Sequence, residues 1–399
     1  MSAADISFIL FCTGLVFIMT PGLAFFYGGL LRKKNIINMM AMCFVSIAIV
    51  SVLWFFIAYS LAFSPDIFGG FIGGLDFIGL IGVSRYPYAV YSEELPHMLF
   101  MVFQLMFAII TVAIISSPFS ERVNFGAFCI FISLWLIIVY SPIAHWVWGD
   151  GGWLGALGAL DFAGGTVVHI NVGFAALAVA LVIGPREGYQ KEPMGPSNIP
   201  FVLLGTGLLW LGWFGFNGGS ALAANDIAVL AMFNTHLAAS AGAFIWMIIE
   251  YFKTEKFSTL GLASGALAGL VAVTPAAGFV EPFAALIIGA SSSVMCFIVL
   301  SWRARSKIDE SLDAISIHGT GGIWGAILTG VFASVGASGV LLGNFEQLWI
   351  QIIGVIATMV YAFVITFILA WIIDKTIGFR VPSDVEYVGL DISQHGELI

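Results

Sequence analysis

Long apolar runs separated by short polar segments dominate the chain. Eleven such runs stand at about residues 8–30, 39–63, 97–117, 125–148, 163–183, 199–221, 228–252, 260–278, 283–302, 317–336 and 347–373. A helix needs about 20 apolar residues to cross the ~30 Å hydrocarbon layer of a bilayer, and each run is close to that length. The runs are continuous and do not alternate with period two, so they predict helices and not the strands of a barrel. The expected fold is therefore all-α and integral to a membrane, with eleven transmembrane helices. A single transmembrane domain would cover 1–375, its eleventh helix near 347–373, followed by a polar, acidic tail over 376–399.

Composition agrees with this picture. Of the 399 residues 60% are hydrophobic and 9% charged, where a soluble domain carries about a quarter charged. The four cysteines (Cys12, Cys43, Cys129, Cys296) lie inside apolar runs, which predicts inert packing positions and no disulfide framework. The first run has no basic residue before it and Arg32-Lys33-Lys34 after it, the reverse of a cleavable signal peptide, so it reads as a retained helix.

Charge then sets the orientation, because cytoplasmic loops retain Lys and Arg. With the N-terminus outside, 13 of the 14 basic residues fall inside and Arg85 alone falls outside, which makes the C-terminal tail cytoplasmic. Two five-helix halves, about 1–184 and 197–336, joined by the Gly184–Ile199 loop, would have opposite topologies because five is odd. One spacing supports such an inverted repeat: Asp161 precedes His169 by eight residues, and Glu310 precedes His318 by eight. Eight helical residues rise ~12 Å, so face-to-face halves would bring the histidines together near the middle, as in transporters with central sites. Taken alone, the matching spacing is equally open to chance. Gly265-xxx-Gly269 predicts a close helix contact.

The six histidines differ in setting. His395 is in the tail, and His97, His145 and His236 fall near expected outer helix ends, where a solvated or interfacial role is expected. His169 and His318 sit inside apolar runs, where an ionisable group is costly and a functional role is the default reading. The alternative is a helix–helix hydrogen bond. Two neutral imidazoles can share a proton and still line a dry passage with polar atoms. Asp161 is expected to be an N-cap at the start of the fifth helix, and its charge would also attract a cation to the outer mouth. Trp148 ends the fourth run, where an interfacial anchor is the ordinary reading and a cation–π site, worth ~0.5–2 kcal/mol, the sharper one. Phe107 and Phe216 cannot be told from packing residues by pattern. With neither a His-Glu-x-x-His motif nor a phosphate-cradling Gly-x-x-x-x-Gly-Lys-Ser/Thr loop, metalloprotease and P-loop readings fail. A net charge of −9 without a basic patch beyond the inner loops argues against nucleic acid. No nucleophile, metal cluster or cofactor loop is recognisable, so no enzyme, cofactor or metal is expected.

Several stretches resemble the ammonium transporter, methylammonium permease and Rhesus family over nearly the whole chain. The most specific is Asp161-Phe-Ala-Gly-Gly-Thr-Val-Val-His169, continuing through Asn171 to Gly184-Pro-Arg186. Pro21-Gly-Leu-Ala-Phe-Phe-Tyr-Gly-Gly, Trp213-Phe-Gly-Phe-Asn-Gly-Gly-Ser220, Val273-Thr-Pro-Ala-Ala-Gly278, Ile317-His318-Gly-Thr-Gly-Gly and the tail from Gly378-Phe-Arg-Val to Gly389-Leu-Asp-Ile-Ser-Gln-His-Gly396 are similar as well. The resemblance implies a five-plus-five inverted repeat plus one helix, a homotrimer with one pore per subunit, and a multi-pass place in the cell (plasma) membrane. It implies recruitment of ammonium, with methylammonium as a further candidate, by Trp148, Phe107 and Ser220 with Phe103 beside them. A gate of Phe107 and Phe216, twin pore histidines His169 and His318, and Asp161 as the supporting acid follow in the same way. Trp148 favours the ammonium transporter branch. Glu310 stands where relatives typically carry Asp, which leaves Asp313 as a rival for the inner counterpart of Asp161. Gly378, Arg380, Gly389 and Asp391 would belong to a regulatory tail facing a P-II-type nitrogen-regulatory protein. Transport, electrogenic or electroneutral, is the expected function. An ammonium sensor signalling through the tail and a passive small-gas channel are the rivals.

Overall fold

The computed structural model describes residues 1–398; Ile399, the last residue of the expected tail, lies outside them. Apolar helices succeed one another as α1 (Ala3–Leu30), α2 (Lys33–Phe63), α3 (His97–Phe119), α4 (Phe125–Leu157), α5 (Gly165–Ile183), α6 (Ile199–Gly219), α7 (Asp226–Thr254), α8 (Thr259–Val273), α9 (Pro282–Arg303), α10 (Ala314–Phe332) and α11 (Phe345–Thr376). Ten of them are long and apolar enough to cross a membrane, α8 being the shorter one. A short helix, α12 (Ser383–Val388), lies in the tail. The all-helical reading has one exception, an antiparallel hairpin of β1 (Pro87–Tyr88) and β2 (Ser92–Pro96) between α2 and α3.

Where helix ends differ from the sequence expectation, local chemistry gives the reason. α1 starts at Ala3 and not near residue 8, because the Ser2 hydroxyl accepts the Asp5 N–H at 3.3 Å and caps the first turn. α8 stops at Val273, short of 278, because Pro275 has no N–H to continue the ladder. Pro142 inside α4 acts differently. The helix widens into a π-turn over Leu136–Tyr140 just before it, and the Ile138 carbonyl, which Pro142 cannot bond, is instead satisfied by the Tyr361 hydroxyl of α11 at 2.8 Å.

Small residues set the helix spacing. A Cβ on Gly205 of α6 would lie 2.7 Å from Phe26 Cα of α1, and one on Gly269 of α8 3.0 Å from Ala239 Cα of α7. Such contacts matter in lipid, where apolar side chains gain nothing by leaving an apolar solvent and packing has to hold helices together. Large apolar side chains including Phe11, Phe56, Phe283 and Trp349 remain exposed on the outside of the bundle.

The loops after α1, α3, α5 and α9 meet on one face. Arg186 pairs with Glu121 at 2.5 Å and with Asp309 at 2.8 Å, Arg32 reaches Glu121 at 3.1 Å, and Arg122 reaches Asp309 at 2.8 Å. Burial alone would raise the Glu121 carboxyl, but the charges of Arg186 and Arg32 hold it below the usual range. Asp309 behaves alike: burial raises it, and the bonds from Arg186 with the charge of Arg122 bring it below its ordinary value. The tail packs on the same face. Asn124 donates its N–H to Phe379 O at 2.8 Å, and Val381 donates to Arg122 O at 3.0 Å. Alternation of the chain across the bundle thus puts these charged loops and the tail together.

Candidate functional site

α5 and α10 open in the same unusual way. Each begins with a six-residue π-helical turn, Gly165–Ile170 and Ala314–Gly319, and a histidine is the fifth residue of each. Such wide turns recur at functional sites. A carboxylate four residues ahead of each turn holds it. Asp161 accepts the N–H groups of Gly164 at 2.8 Å, Gly165 at 2.6 Å and Thr166 at 2.7 Å, and also the Thr166 hydroxyl. The N-cap itself is Gly164, with φ +122°, so the expectation for Asp161 is corrected: it caps α5 from three residues further back. Glu310, fully buried, accepts from Leu312 N at 3.0 Å, Ile315 N at 3.2 Å and the Ser117 hydroxyl. Asp313 is bonded otherwise, in an ion pair with Arg303 at 2.5 Å. The hydrogen-bonding counterpart of Asp161 is therefore Glu310.

The two turns converge. Gly173 of α5 packs on the backbone of Gly319 so closely that a Cβ would not fit, and a Cβ on Gly322 of α10 would lie 3.0 Å from Gly165 O. This approach brings His169 Nδ1 within 3.1 Å of His318 Nδ1. Both rings are buried. In a neutral pair one Nδ1 donates and the other accepts, so one Nε2 is an acceptor and the other carries a proton. His169 Nε2 has no partner among the described residues. The pair lines a narrow apolar passage with Tyr27, Val168, Trp213, Phe216 and Leu312.

Trp213 is a site residue that sequence reasoning did not single out. Its ring stacks on His169 at 5.5 Å and 24°, and its Nε1 donates to Thr274 Oγ1 at 2.9 Å. The available signal was its depth: an indole in the middle of an apolar run, with a polar atom to satisfy, is not an interfacial anchor. The hub of Glu121, Arg186 and Asp309 was missed as well, because its members come from three separate loops.

Beyond His169 the passage is closed by aromatic rings. Phe107 and Phe216 stack at 4.2 Å and 26°, and Phe216 lies over His169 at 6.3 Å. Phe107 also meets Phe103 at 5.0 Å and Trp148 edge to face at 5.9 Å. Half-buried Trp148 donates Nε1 to Asp161 O at 3.0 Å. Ser220 follows Gly219, which packs on Phe103, and its hydroxyl donates to Phe216 O at 2.9 Å, leaving oxygen lone pairs free. Ring contacts thus link Trp148, Phe103, Phe107, Phe216, His169 and His318 in one series, with Ser220 and Asp161 joined to it through hydrogen bonds at the Phe216 and Asp161 carbonyls.

Two other histidines depart from expectation. His97 and His145 are not solvated but buried. His97 is bonded to the Tyr59 hydroxyl at 2.5 Å, and His145 lies 3.3 Å from Asp66 Oδ1 while its Nδ1 is 3.0 Å from Ala62 O. The hairpin and the Asp66 loop fold over these helix ends and exclude water from them. His236 is exposed. In the tail, Gly378 and Gly389 have φ +82° and +114°. Arg380 bonds Glu386 at 2.9 Å and Pro185 O at 2.7 Å, and Asp391 accepts the Asn38 N–H at 2.8 Å. Among the described residues no group of three or more His, Cys, Asp or Glu could hold a metal ion.

Comparison with known proteins is consistent across sequence and fold. Residues 7–398 match the model of the Ammonium Transporter Family. The chain is 49% identical to "Ammonium transporter Amt1" of Archaeoglobus fulgidus, covering 100% of this chain and 99% of the relative. It is 48% identical to an ammonium transporter of Bacillus subtilis, with 100% and 98% covered. The crystal structure of Saccharomyces cerevisiae Mep2 superposes with a TM-score of 0.91 at 37% identity, covering 96% of this chain and 88% of that one. A structure described as "Sensor Amt Protein" superposes with a TM-score of 0.92 at 29% identity, with 98% of both chains covered.

Proposed function

The chain belongs to the ammonium transporter family, a multi-pass membrane protein whose relatives are transporters and not enzymes, and on that premise we propose how it conducts. Ammonium is recruited by Trp148, Phe107 and Ser220 with Phe103 beside them. At the Phe107–Phe216 gate it gives a proton to water and crosses as ammonia along His169 and His318, while the proton either returns to the outside, which makes transport electroneutral, or follows separately through the histidines and water, which makes it electrogenic. The observation that carries this reading is the order of the column: a cation-compatible aromatic cup, then stacked phenyl rings, then a buried histidine pair 3.1 Å apart.

The physical reason is solvation. An isolated charge moved into low dielectric loses tens of kcal/mol of hydration, whereas one cation–π site returns ~0.5–2 kcal/mol. Loss of the proton removes that cost. Ammonia both donates and accepts hydrogen bonds, which suits a neutral histidine pair offering one donor and one acceptor nitrogen. Potassium has no proton to give up and is excluded. Asp161, spent on backbone N–H groups, acts through its negative field at the cup and by fixing the α5 turn. Glu310 does the same at the opposite end. The matched turns and acids support an inverted repeat of α1–α5 and α6–α10, with the N-terminus outside, the tail cytoplasmic and the protein in the plasma membrane.

A homotrimer is supported by His236. It lies ten residues into α7, ~15 Å from the helix start, yet is exposed on the bundle surface. An imidazole at that depth is costly against lipid and is relieved by a protein neighbour. The docked tail supports a second reading, in which a P-II-type regulator or a signalling partner reads its position while transport continues. Uptake of ammonium, methylammonium and potassium into proteoliposomes, with current recorded on an ammonium jump, tests the proposal. Potassium passage at rates like ammonium would overturn it, and uptake without current would make transport electroneutral.

A further inference from the structure

Thr274 stands where α8 ends, in the Val273-Thr-Pro-Ala-Ala-Gly278 stretch. It is fully buried, and its hydroxyl makes two bonds. The proton goes to Leu270 O at 2.8 Å, and the oxygen accepts Trp213 Nε1–H at 2.9 Å. With its proton spent on α8, the oxygen is left only as an acceptor, and the indole of α6 is the group it accepts from. That indole is the ring lying on His169. The next residue touches the other side of the same histidine's helix. Pro275 O accepts Phe162 N–H at 3.1 Å, and its ring packs on Gly165, the first residue of the α5 turn, where a Cβ would lie 2.6 Å from Pro275 Cγ.

A hydroxyl bonding back to its own helix is ordinary local chemistry. The cross-helix bond is not, because it fixes the rotation of a large ring whose face is the wall behind His169. A buried indole N–H left without an acceptor loses its hydration with nothing in return, which turns the ring towards another partner. We propose that Thr274 is a positioning residue of the histidine passage: by holding Trp213 flat on His169 it keeps His169 Nδ1 aligned with His318 Nδ1. It touches no substrate on this path. The inference rests on His169 and His318 lining the conducting passage.

The test uses the full-length protein in proteoliposomes and separates capture from conduction. T274V keeps the shape and removes the acceptor, so maximal ammonium uptake falls on the order of tenfold. The half-saturating concentration is unchanged, since neither Thr274 nor Trp213 touches Trp148. T274S restores uptake. W213F removes the donor and lowers maximal uptake alike, and adding T274V to W213F produces no further loss, the mark of two groups acting as one. Wild-type uptake by T274V, or a loss that adds to that of W213F, overturns the proposal. If T274V does not insert, W213F decides: unchanged maximal uptake without the indole N–H also overturns it. H169A is the separate arm, because normal, selective conduction in that variant would sink the histidine passage itself and not the role of Thr274.

Discussion

Trp148 donates its indole N–H to the backbone carbonyl of Asp161 across 3.0 Å. One bond thereby ties Trp148 of α4 to the loop whose carboxylate holds the α5 turn. The placing of the Trp148 ring against Phe107 is set by that bond, so the ring and the start of α5 are built as one unit.

Replacing the indole while keeping its bulk apolar tests the cup. In W148L the cation–π attraction is lost, and half-saturation for ammonium should rise by about 2- to 30-fold, the equivalent of 0.5–2 kcal/mol. The dependence of uptake on concentration measures this directly. An unchanged curve would favour a passive gas channel over capture of the ion.

His169→Ala tests the pair. It removes one polar nitrogen line and leaves His318 Nδ1 unpaired in an apolar passage, where water can enter the space vacated by the ring. Potassium exclusion should suffer at least as much as ammonium rate. A potassium-loaded vesicle assay with a parallel current recording reads both, and a variant that still excluded potassium with the same proton signal would refute this account of the histidines.

Much of the fold was legible because a membrane simplifies the code: an apolar run of the right length has one stable solution, and all eleven runs became helices. His169 and His318 stood out because an ionisable group in such a run carries a cost that demands a reason. Trp213 and Thr274 were illegible for the opposite reason, since an aromatic and a hydroxyl in apolar runs are unremarkable until their partners on other helices are known. His97 and His145 misled because a place near a helix end was taken as solvated or interfacial, while the hairpin and Asp66 of the segment between α2 and α3 cover them. Asp161 and Glu310 lay between: spacing paired them, but only the backbone N–H groups they accept separate Glu310 from Asp313.

The hub on the tail face should be sensitive to acid. Glu121 and Asp309 have carboxyls held below their ordinary values in the folded protein. Their contribution to stability is therefore fully present above the ordinary carboxylate range of about 4 and is lost as pH falls through the depressed values. D309N leaves Arg122 and Arg186 short of a buried counter-charge, and removing one partner of such a pair costs about 3–5 kcal/mol. Thermal melting of the purified protein should show a lower midpoint for D309N at neutral pH and a shallower fall in acid than wild type. Equal melting at neutral pH would mean that the remaining pairs of the hub are self-sufficient.

Gly389 offers a way to loosen the end of the tail without cutting it. Its φ of +114° is a conformation that L residues rarely adopt, and a Cβ there would lie 2.7 Å from Lys34 O. Both the backbone and the space oppose a side chain, at a cost of about 1–3 kcal/mol for the strain alone. Directly after it, Leu390 N–H bonds Asn35 Oδ1 at 2.8 Å and Asp391 accepts the Asn38 N–H at 2.8 Å. G389A should therefore release the segment from Leu390 onward, while the upstream contacts of Phe379 and Val381 with the loop after α3 stay in place. Limited proteolysis should cut the tail of G389A faster than that of wild type, and ammonium uptake should persist because the histidine column is untouched. Regulation by a cytoplasmic partner should weaken in the same variant. Abolished uptake in a correctly inserted G389A would instead make the docked tail a condition of conduction, and the loop contacts of Arg380 and Asp391 part of the open pore.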